Sequence, residues 1–255
     1  MITVTILGSG TSQGVPIIGC KCEVCTSSDK RNKRLRSSIL IENEKGENLV
    51  IDAGTDFRYQ MLREDVTKLD AILLTHNHKD HTGGIDDVRS FNYMLRRPMD
   101  IYAERYVLDS VMQDYHYAFA EHRYPGVPEI NLCEITEEPF VIGSFNITPI
   151  RGMHHKLPVL GFRISKFCYI TDMNHISEIE IEKMKGVEVL IINALRREKH
   201  ISHFTLDEAL EVIEKVAPQQ AYLTHISHQL GLYEDVEKDL PHNVSLAYDK
   251  LKILI

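Results

Sequence analysis

Apolar residues along this chain recur in two rhythms, and the alternation between them outlines the elements. Short apolar runs bounded by turn residues read as strands at Ile2–Leu7, Ala71–Leu74, Ile101–Ala103, Leu132–Ile135, Phe140–Ile142, Phe145–Ile150, Val159–Ile164, Phe167–Thr171, Val187–Asn193 and Gln220–Leu223. Ser38–Glu42 and Asn48–Asp52, joined across Glu44-Lys-Gly-Glu47, read as a hairpin. Helical spacing marks Asp56–Glu64, the positions Ile85, Val88, Phe91 and Asn92, the stretch from Glu104 to about Ala120, and Glu178–Met184. Thr205-Leu-Asp-Glu208 has the form of a capping box and opens an amphipathic helix to Val216, with Leu206, Ala209, Leu210, Ile213 and Val216 inward. Strands and helices alternating in this way predict an α/β fold.

Composition bounds this picture. The 255 residues carry 29 basic and 37 acidic side chains, a formal charge of −8, which disfavours a grip on extended nucleic acid through a basic surface. No composition shift or linker divides the chain, so it is expected to form one domain over 1–255. No apolar run approaches the roughly 20 residues of a membrane span, and Met1-Ile-Thr-Val-Thr-Ile-Leu enters a strand without the pattern of a signal peptide. The expectation is a soluble, cytoplasmic protein with no membrane partner.

The chemistry concentrates in Ala71–Ile85, where His76, His78, Asp80 and His81 place four metal-ligand side chains within six residues. His76 and His78 are two apart and project to one side of an extended segment, so they can chelate one ion. Asp80 and His81 follow after the chain has turned and suit a second ion, and Gly83 and Gly84 mark a tight turn after them. Imidazole with carboxylate favours zinc, manganese, iron or nickel over calcium or magnesium. Asp52, closing the hairpin, is expected to hydrogen-bond a ligand histidine. Cys20-Lys-Cys-Glu-Val-Cys25 offers three thiolates to a single zinc ion in an insert at about 19–36, with a fourth ligand required from elsewhere. This thiolate site is expected to be separate from the His/Asp site. Cys133 and Cys168 read as core residues. Gly8-Ser-Gly-Thr-Ser-Gln-Gly-Val-Pro16 reads as a turn, with a phosphate cradle as the alternative. Lys30–Arg36 reads as a solvated basic face or as the approach for an anionic substrate. Glu121–Glu129, with Pro125 and Pro128, reads as a loop that could overhang the site. His154, His155 and Asp172 sit where strands end, as turn residues or as ligands.

The His-x-His-x-Asp-His pattern, preceded by an apolar strand and Thr75 and followed by Gly83-Gly84, resembles the signature of the metallo-β-lactamase superfamily. The resemblance implies an αββα sandwich of two mixed β-sheets flanked by helices, with a dinuclear site at one edge. Gly-Ser-Gly-Thr-Ser-x-Gly-x-Pro is similar to the opening of the branch that cleaves phosphodiesters. The Cys-x-Cys-x-x-Cys insert, together with Leu223-Thr-His-Ile-Ser-His-Gln229, resembles the PhnP-like cyclic phosphodiesterases.

That likeness implies His228 as the fourth ligand of a structural zinc with Cys20, Cys22 and Cys25. It implies one ion on His76, His78 and His154, and a second on Asp80, His81 and His225. Asp172 would bridge them and manganese or zinc, or else nickel or iron, would fill the pair. His154 is chosen over His155 because Lys156-Leu157 follows it, as in the family motif. His203 and Asp80 are the implied catalytic residues, His203 protonating the leaving oxygen of a small, cyclic phosphodiester attacked by a shared hydroxide. A homodimer is compatible with this reading. The rivals are a tRNA 3′-processing nuclease, for which no basic arm is found, and a non-catalytic PqqB-like protein, against which all ligand positions are filled.

Overall fold

The computed structural model describes residues 1–255 and gathers the apolar runs into two mixed β-sheets. The first contains β1 (Ile2–Gly8), β2 (Ser38–Asn43), β3 (Asn48–Ile51), β4 (Ala71–Leu73), β5 (Met99–Ala103) and β6 (Ile130–Glu134). The second contains β7 (Phe140–Ile142), β8 (Phe145–His154), β9 (Leu157–Ile164), β10 (Phe167–Ile170), β11 (His175–Ile176), β12 (Val189–Asn193), β13 (Gln220–Thr224) and β14 (Val244–Leu246). The last strand, β15 (Lys252–Leu254), returns to the first sheet beside β1. The orders are β15-β1-β2-β3-β4-β5-β6 and β11-β8-β9-β10-β12-β13-β14, with β7 against β8. Each sheet is antiparallel on one side and parallel on the other: β3 to β6 run parallel in the first, and β10, β12, β13 and β14 in the second.

The helices are α1 (Glu23–Thr26), α2 (Phe57–Arg63), α3 (Lys79–Thr82), α4 (Arg89–Leu95), α5 (Arg105–Asp114), α6 (His116–Phe119), α7 (Glu178–Met184), α8 (Leu206–Val216) and α9 (Tyr233–Asp239). Period-2 alternation in strands buried on both faces sorts the apolar residues into layers. In β10, Phe167 and Tyr169 enter the core between the sheets with Ile39, Ile51, Leu73 and Phe162, while Cys168 and Ile170 face α7 and α8. Leu40, Val50, Ile72 and Ile101 pack outward against α2, α4 and α5. The result is an αββα sandwich. Thr205 caps α8 through the full capping box, as the sequence pattern predicts.

Several expectations are corrected. The helix predicted from Glu104 to Ala120 breaks at Tyr115, whose hydroxyl donates to the Thr82 carbonyl at 2.8 Å and so fastens the break to the metal-motif helix α3. The Glu121–Glu129 loop does not overhang the motif: Glu129 O accepts from Met99 N at the start of β5, whereas the His76–His81 motif follows the opposite end of the parallel neighbour β4. The basic run is not a solvated face either. Arg34 is buried, Lys33 reaches Cys25 O, and Arg36 pairs with Asp56 and Ser12 O. Cys168 is a core residue, but Cys133 is only half-buried, on the edge strand β6.

Gly83 and Gly84 have φ of −69° and −104°, so no left-handed turn calls for them. Close approach does. A Cβ on Gly84 would lie 2.1 Å from Gly54 O, and one on Gly54 would lie 1.8 Å from Asp80 O. Glycine at these positions lets the Asp52–Gly54 segment press against the motif.

Candidate metal centre

Most candidate ligands stand at the C-terminal ends of parallel strands, where crossover connections leave a crevice, and His154 joins them from the end of the antiparallel strand β8. His76, His78, Asp80 and His81 follow β4, Asp172 follows β10, His225 follows β13, and His154 ends β8. Asp52, Asp172 and His225 are left-handed, with φ of 66°, 57° and 55°. Each such residue costs about 1–3 kcal/mol, comparable to the roughly 1.5–3 kcal/mol gained by burying one large apolar side chain. The three packed layers therefore hold these turns, which aim side chains inward directly after a strand.

His76, His78 and His154 form one set of converging ligand atoms, and Asp80, His81, Asp172 and His225 form another. His81 Nε2 lies 3.2 Å from both Asp80 Oδ2 and Asp172 Oδ2, and His225 Nδ1 lies 3.0 Å from Asp172 Oδ2. Ligands about 2.1 Å from an ion stand about 3.0–3.4 Å apart in octahedral or tetrahedral arrangements, so these separations fit. The opposite ring nitrogens are fixed by the fold. His81 Nδ1 donates to Asp52 Oδ2 at 2.7 Å, and His154 Nδ1 donates to Ser202 O at 2.8 Å. Asp52 also accepts from Thr75 N and its hydroxyl. The expected hydrogen bond from Asp52 to a ligand histidine is present.

Charge is arranged for cations. Burial pushes the Asp172 carboxyl up, but His225 and His81 outweigh it and hold the group ionised, well below the usual range. Burial likewise raises Asp80, and His81 and His225 reverse the shift. Burial and the neighbouring His81 hold His76 well below its ordinary value. Nε2 of His76 and of His81, and Nδ1 of His203, are buried without a hydrogen-bond partner. Unpaired buried nitrogens converging beside ionised carboxylates are what a bound divalent ion would satisfy, so the donor set fits such ions.

His203 stands over the centre, Nδ1 3.7 Å from Asp172 Oδ1, its ring centroid 4.6 Å from His154 and 4.7 Å from His225. Burial, with His225, His154 and His200 nearby, lowers it to about 3, so the free protein holds it neutral at pH 7. Its position also makes it a possible ligand in a set with His154 and Asp172. His155 is exposed in the turn, its N–H donating to Asn174 Oδ1, and the structure brings His154, not His155, to the centre. His116 and His122 are exposed and distant in the chain from these strand ends.

The cysteine insert is a second centre. His228 Nδ1 lies 3.4, 3.3 and 3.6 Å from the sulfurs of Cys20, Cys22 and Cys25. Zinc bonds of 2.3 Å to sulfur and 2.0–2.1 Å to nitrogen give tetrahedral S–N edges of about 3.6 Å, so the four atoms fit a zinc ion. Cys25 N donates to Cys22 Sγ, which with the His228 contact lowers the Cys22 thiol to about 6; burial pushes Cys25 up to about 11. His228 and His225 share one turn, held by Ile226 N to Ser9 O and Ser227 N to Leu195 O.

Sequence reasoning missed the contacts around this turn. Thr11 Oγ1 and Ser37 Oγ each touch the His225 ring, at 3.3 and 3.2 Å. The Gly-rich loop is a clamp rather than a phosphate cradle: Ser9, Gly10, Thr11 and Gly14 already donate their amides to Asp249, Leu35, Ile226 and Thr11 oxygens. Asn193, buried at the end of β12, brackets Met173 through both N–H and C=O and so fixes the turn after Asp172. No spacing rule signals any of these.

A family model described as a β-lactamase superfamily domain matches residues 47–226. A curated relative from Porphyromonas gingivalis, an octanoyltransferase, is 42% identical over 98% of this chain, which spans only about half (51%) of that protein. Coenzyme PQQ synthesis protein B of Methylobacterium radiotolerans is 32% identical over 42% of this chain and 39% of its own length. Among solved structures, a diphosphatase from the PhnP family superposes with a TM-score of 0.93 at 35% identity, covering 100% of this chain and 98% of that one. With that match over the whole fold, and with the family model covering the strands that carry the ligands, the chain belongs to the metallo-β-lactamase superfamily, in its PhnP-like branch.

Proposed function

We propose that the strand-end cluster is the catalytic centre of a dinuclear metal-dependent phosphodiesterase acting on a small anionic, cyclic phosphodiester. Asp172 is the observation that carries this reading, because one buried carboxylate meets His81 and His225 through Oδ2 and faces His203 through Oδ1. In this reading His76, His78 and His154 would hold one divalent ion, Asp80, His81 and His225 would hold another, and Asp172 would serve as a carboxylate ligand. Cys20, Cys22, Cys25 and His228 hold a structural zinc. Divalent ions held there supply a hydroxide-strength nucleophile near neutral pH and neutralise charge on phosphoryl oxygens.

The chain's own residues do the rest. Asp52 and the Ser202 carbonyl orient the imidazoles of His81 and His154, and Asp80 stays ionised beside His81. His203 protonates the departing oxygen. Since the free protein holds His203 neutral, the proton must be stabilised by the substrate, whose negative phosphoryl group beside the ring raises its proton affinity. A departing alkoxide needs that proton, whereas a nitrophenoxide does not.

A second reading has one observation in its favour: the similar solved structure at 35% identity is described as a diphosphatase. Cleavage of a diphosphate linkage would expel a phosphate, which needs little protonation. The test is His203→Ala with metal content monitored. For the diesterase, the variant slows an alkyl or ribose diester about 10²–10⁴-fold while a nitrophenyl diester changes little. Preference for a diphosphate substrate insensitive to the variant favours the second reading, and robust thioester or lactam turnover without phosphoryl chemistry contradicts both.

A further inference from the structure

The segment that presents His203 has little apolar anchorage. Ile201 is 66% exposed, His200 and Ser202 are half-buried, and Phe204 is the first residue of the stretch to enter the core. Position must come from hydrogen bonds, most of them from the turns that carry His154 and Asp172, with Leu195 N donating to Phe204 O at 3.0 Å from beyond β12. His154 Nδ1 donates to Ser202 O at 2.8 Å, Phe204 N donates to Met173 O at 2.8 Å, and Asn174 Nδ2 donates to Ile201 O at 3.3 Å. Asn174 reaches the other way as well. Its Oδ1 accepts from His155 N at 2.7 Å, and its own N–H donates to Met153 O at 2.9 Å.

We infer that Asn174 is a positioning residue for His203, a tie between the turn carrying His154 and the carbonyl two residues ahead of His203. The consequence for the reaction rests on the phosphodiesterase reading; the tie itself does not. Asn174 makes no hydrogen bond to the ligand atoms. It acts through backbone geometry, and displacement of a proton donor by about 1 Å can cost on the order of 10²-fold. The side chain's two halves do different work, which makes the inference separable. Asn174→Asp keeps an acceptor for His155 N–H but sets a carboxylate oxygen against Ile201 O, so it releases the His203 segment and spares the His154 turn. Asn174→Ala loses both halves.

The experiment uses the metal-loaded full chain and reads three quantities in both variants: metal content, amide hydrogen exchange of residues 200–204, and hydrolysis of an alkyl and a nitrophenyl diester. In Asn174→Asp, exchange of 200–204 should rise about 10-fold with metal content unchanged, as expected for loss of local protection. The alkyl diester should slow about 10-fold or more, while the nitrophenyl diester changes less than about 3-fold. Unchanged exchange in both variants overturns the inference. So does equal slowing of both diesters with metal retained, or loss of metal from Asn174→Asp, which would make Asn174 a support for His154 alone. If the unmodified protein cleaves no diester, the phosphodiesterase reading fails and the exchange measurement still decides whether Asn174 holds the segment. Should Asn174→Ala not fold, Asn174→Asp carries the same comparison.

Discussion

The cysteine knuckle and the strand-end cluster both assemble metal-competent side chains, yet they are built in opposite ways. Three knuckle ligands fall within Cys20–Cys25, on a loop and a single-turn helix, over a small apolar cluster of Val15, Val24 and Cys25. The cluster draws seven residues from His76 to His225, on strand ends rooted in the sandwich. A structural zinc would contribute about 10–16 kcal/mol, against about 1.5–3 kcal/mol for each buried apolar side chain, so in the proposed reading an ion dominates the knuckle. In the cluster the scaffold dominates, because every ligand sits on or shortly after a strand of the packed sandwich. The regions meet at the turn from His225 to His228, which ties the loop-borne site to the scaffold-borne one.

The largest expected effect comes from breaking the close approach that positions the cluster. Gly54→Ala would set a Cβ 1.8 Å from Asp80 O, and backbone must shift. We expect about 3 kcal/mol of lost stability, with loss of the catalytic ions but not the knuckle zinc, by thermal unfolding and metal analysis. Unchanged stability would mean that the cluster is not held by this packing.

Next is Asp52→Asn, which leaves packing intact but weakens the acceptor of the His81 Nδ1 proton. It should lower affinity for the ion at Asp80, His81 and His225 by about 10–100-fold, while the ion at His76, His78 and His154 is spared. Parallel loss of both ions in a metal titration would show the two halves to be one site.

Cys22→Ser sharpens the comparison from the other side. It should release one zinc and increase exchange around residues 17–26 and 226–229, and weaken the second catalytic ion less than about 10-fold through the shared turn. Full independence of the catalytic ions would show that the turn transmits nothing.

The smallest effect concerns pH in the metal-free protein. His203 titrates near 6.5 when unfolded and about 3 when folded. Between those values the unfolded chain binds the extra proton, so stability falls as pH falls from about 6.5 to 3. His203→Gln should flatten that slope in chelator-treated unfolding curves; an unaltered slope would place the titration elsewhere.

How much of this was legible in the sequence follows from distance along the chain. His76 to His81 and Cys20 to Cys25 are local, and spacing alone named their chemistry. His154, Asp172, His225 and His228 converge only through sheet topology, and resemblance rather than spacing pointed to them. The left-handed turns at Asp52, Asp172 and His225 leave no mark in a hydrophobic pattern, nor do the tethers from Asn174 and Asn193. α9, β14 and β15 went unread because short segments with weak periodicity become elements only through tertiary contacts, β14 and β15 by pairing with β13 and β1 and α9 by packing Tyr233 and Val236 into the core. The basic run misled because Arg34 is buried where composition expects a solvated face.

The central claim, phosphoryl hydrolysis at the strand-end cluster, is tested most directly by 31P NMR of a cyclic ribose phosphodiester incubated with zinc-loaded protein in 18O-enriched water. The account predicts a monoester whose phosphorus carries the isotope shift of one 18O, formed by the unmodified protein and lost in Asp172→Asn. Product formation unaffected by Asp172→Asn, or 18O found only on the carbon skeleton, would contradict it.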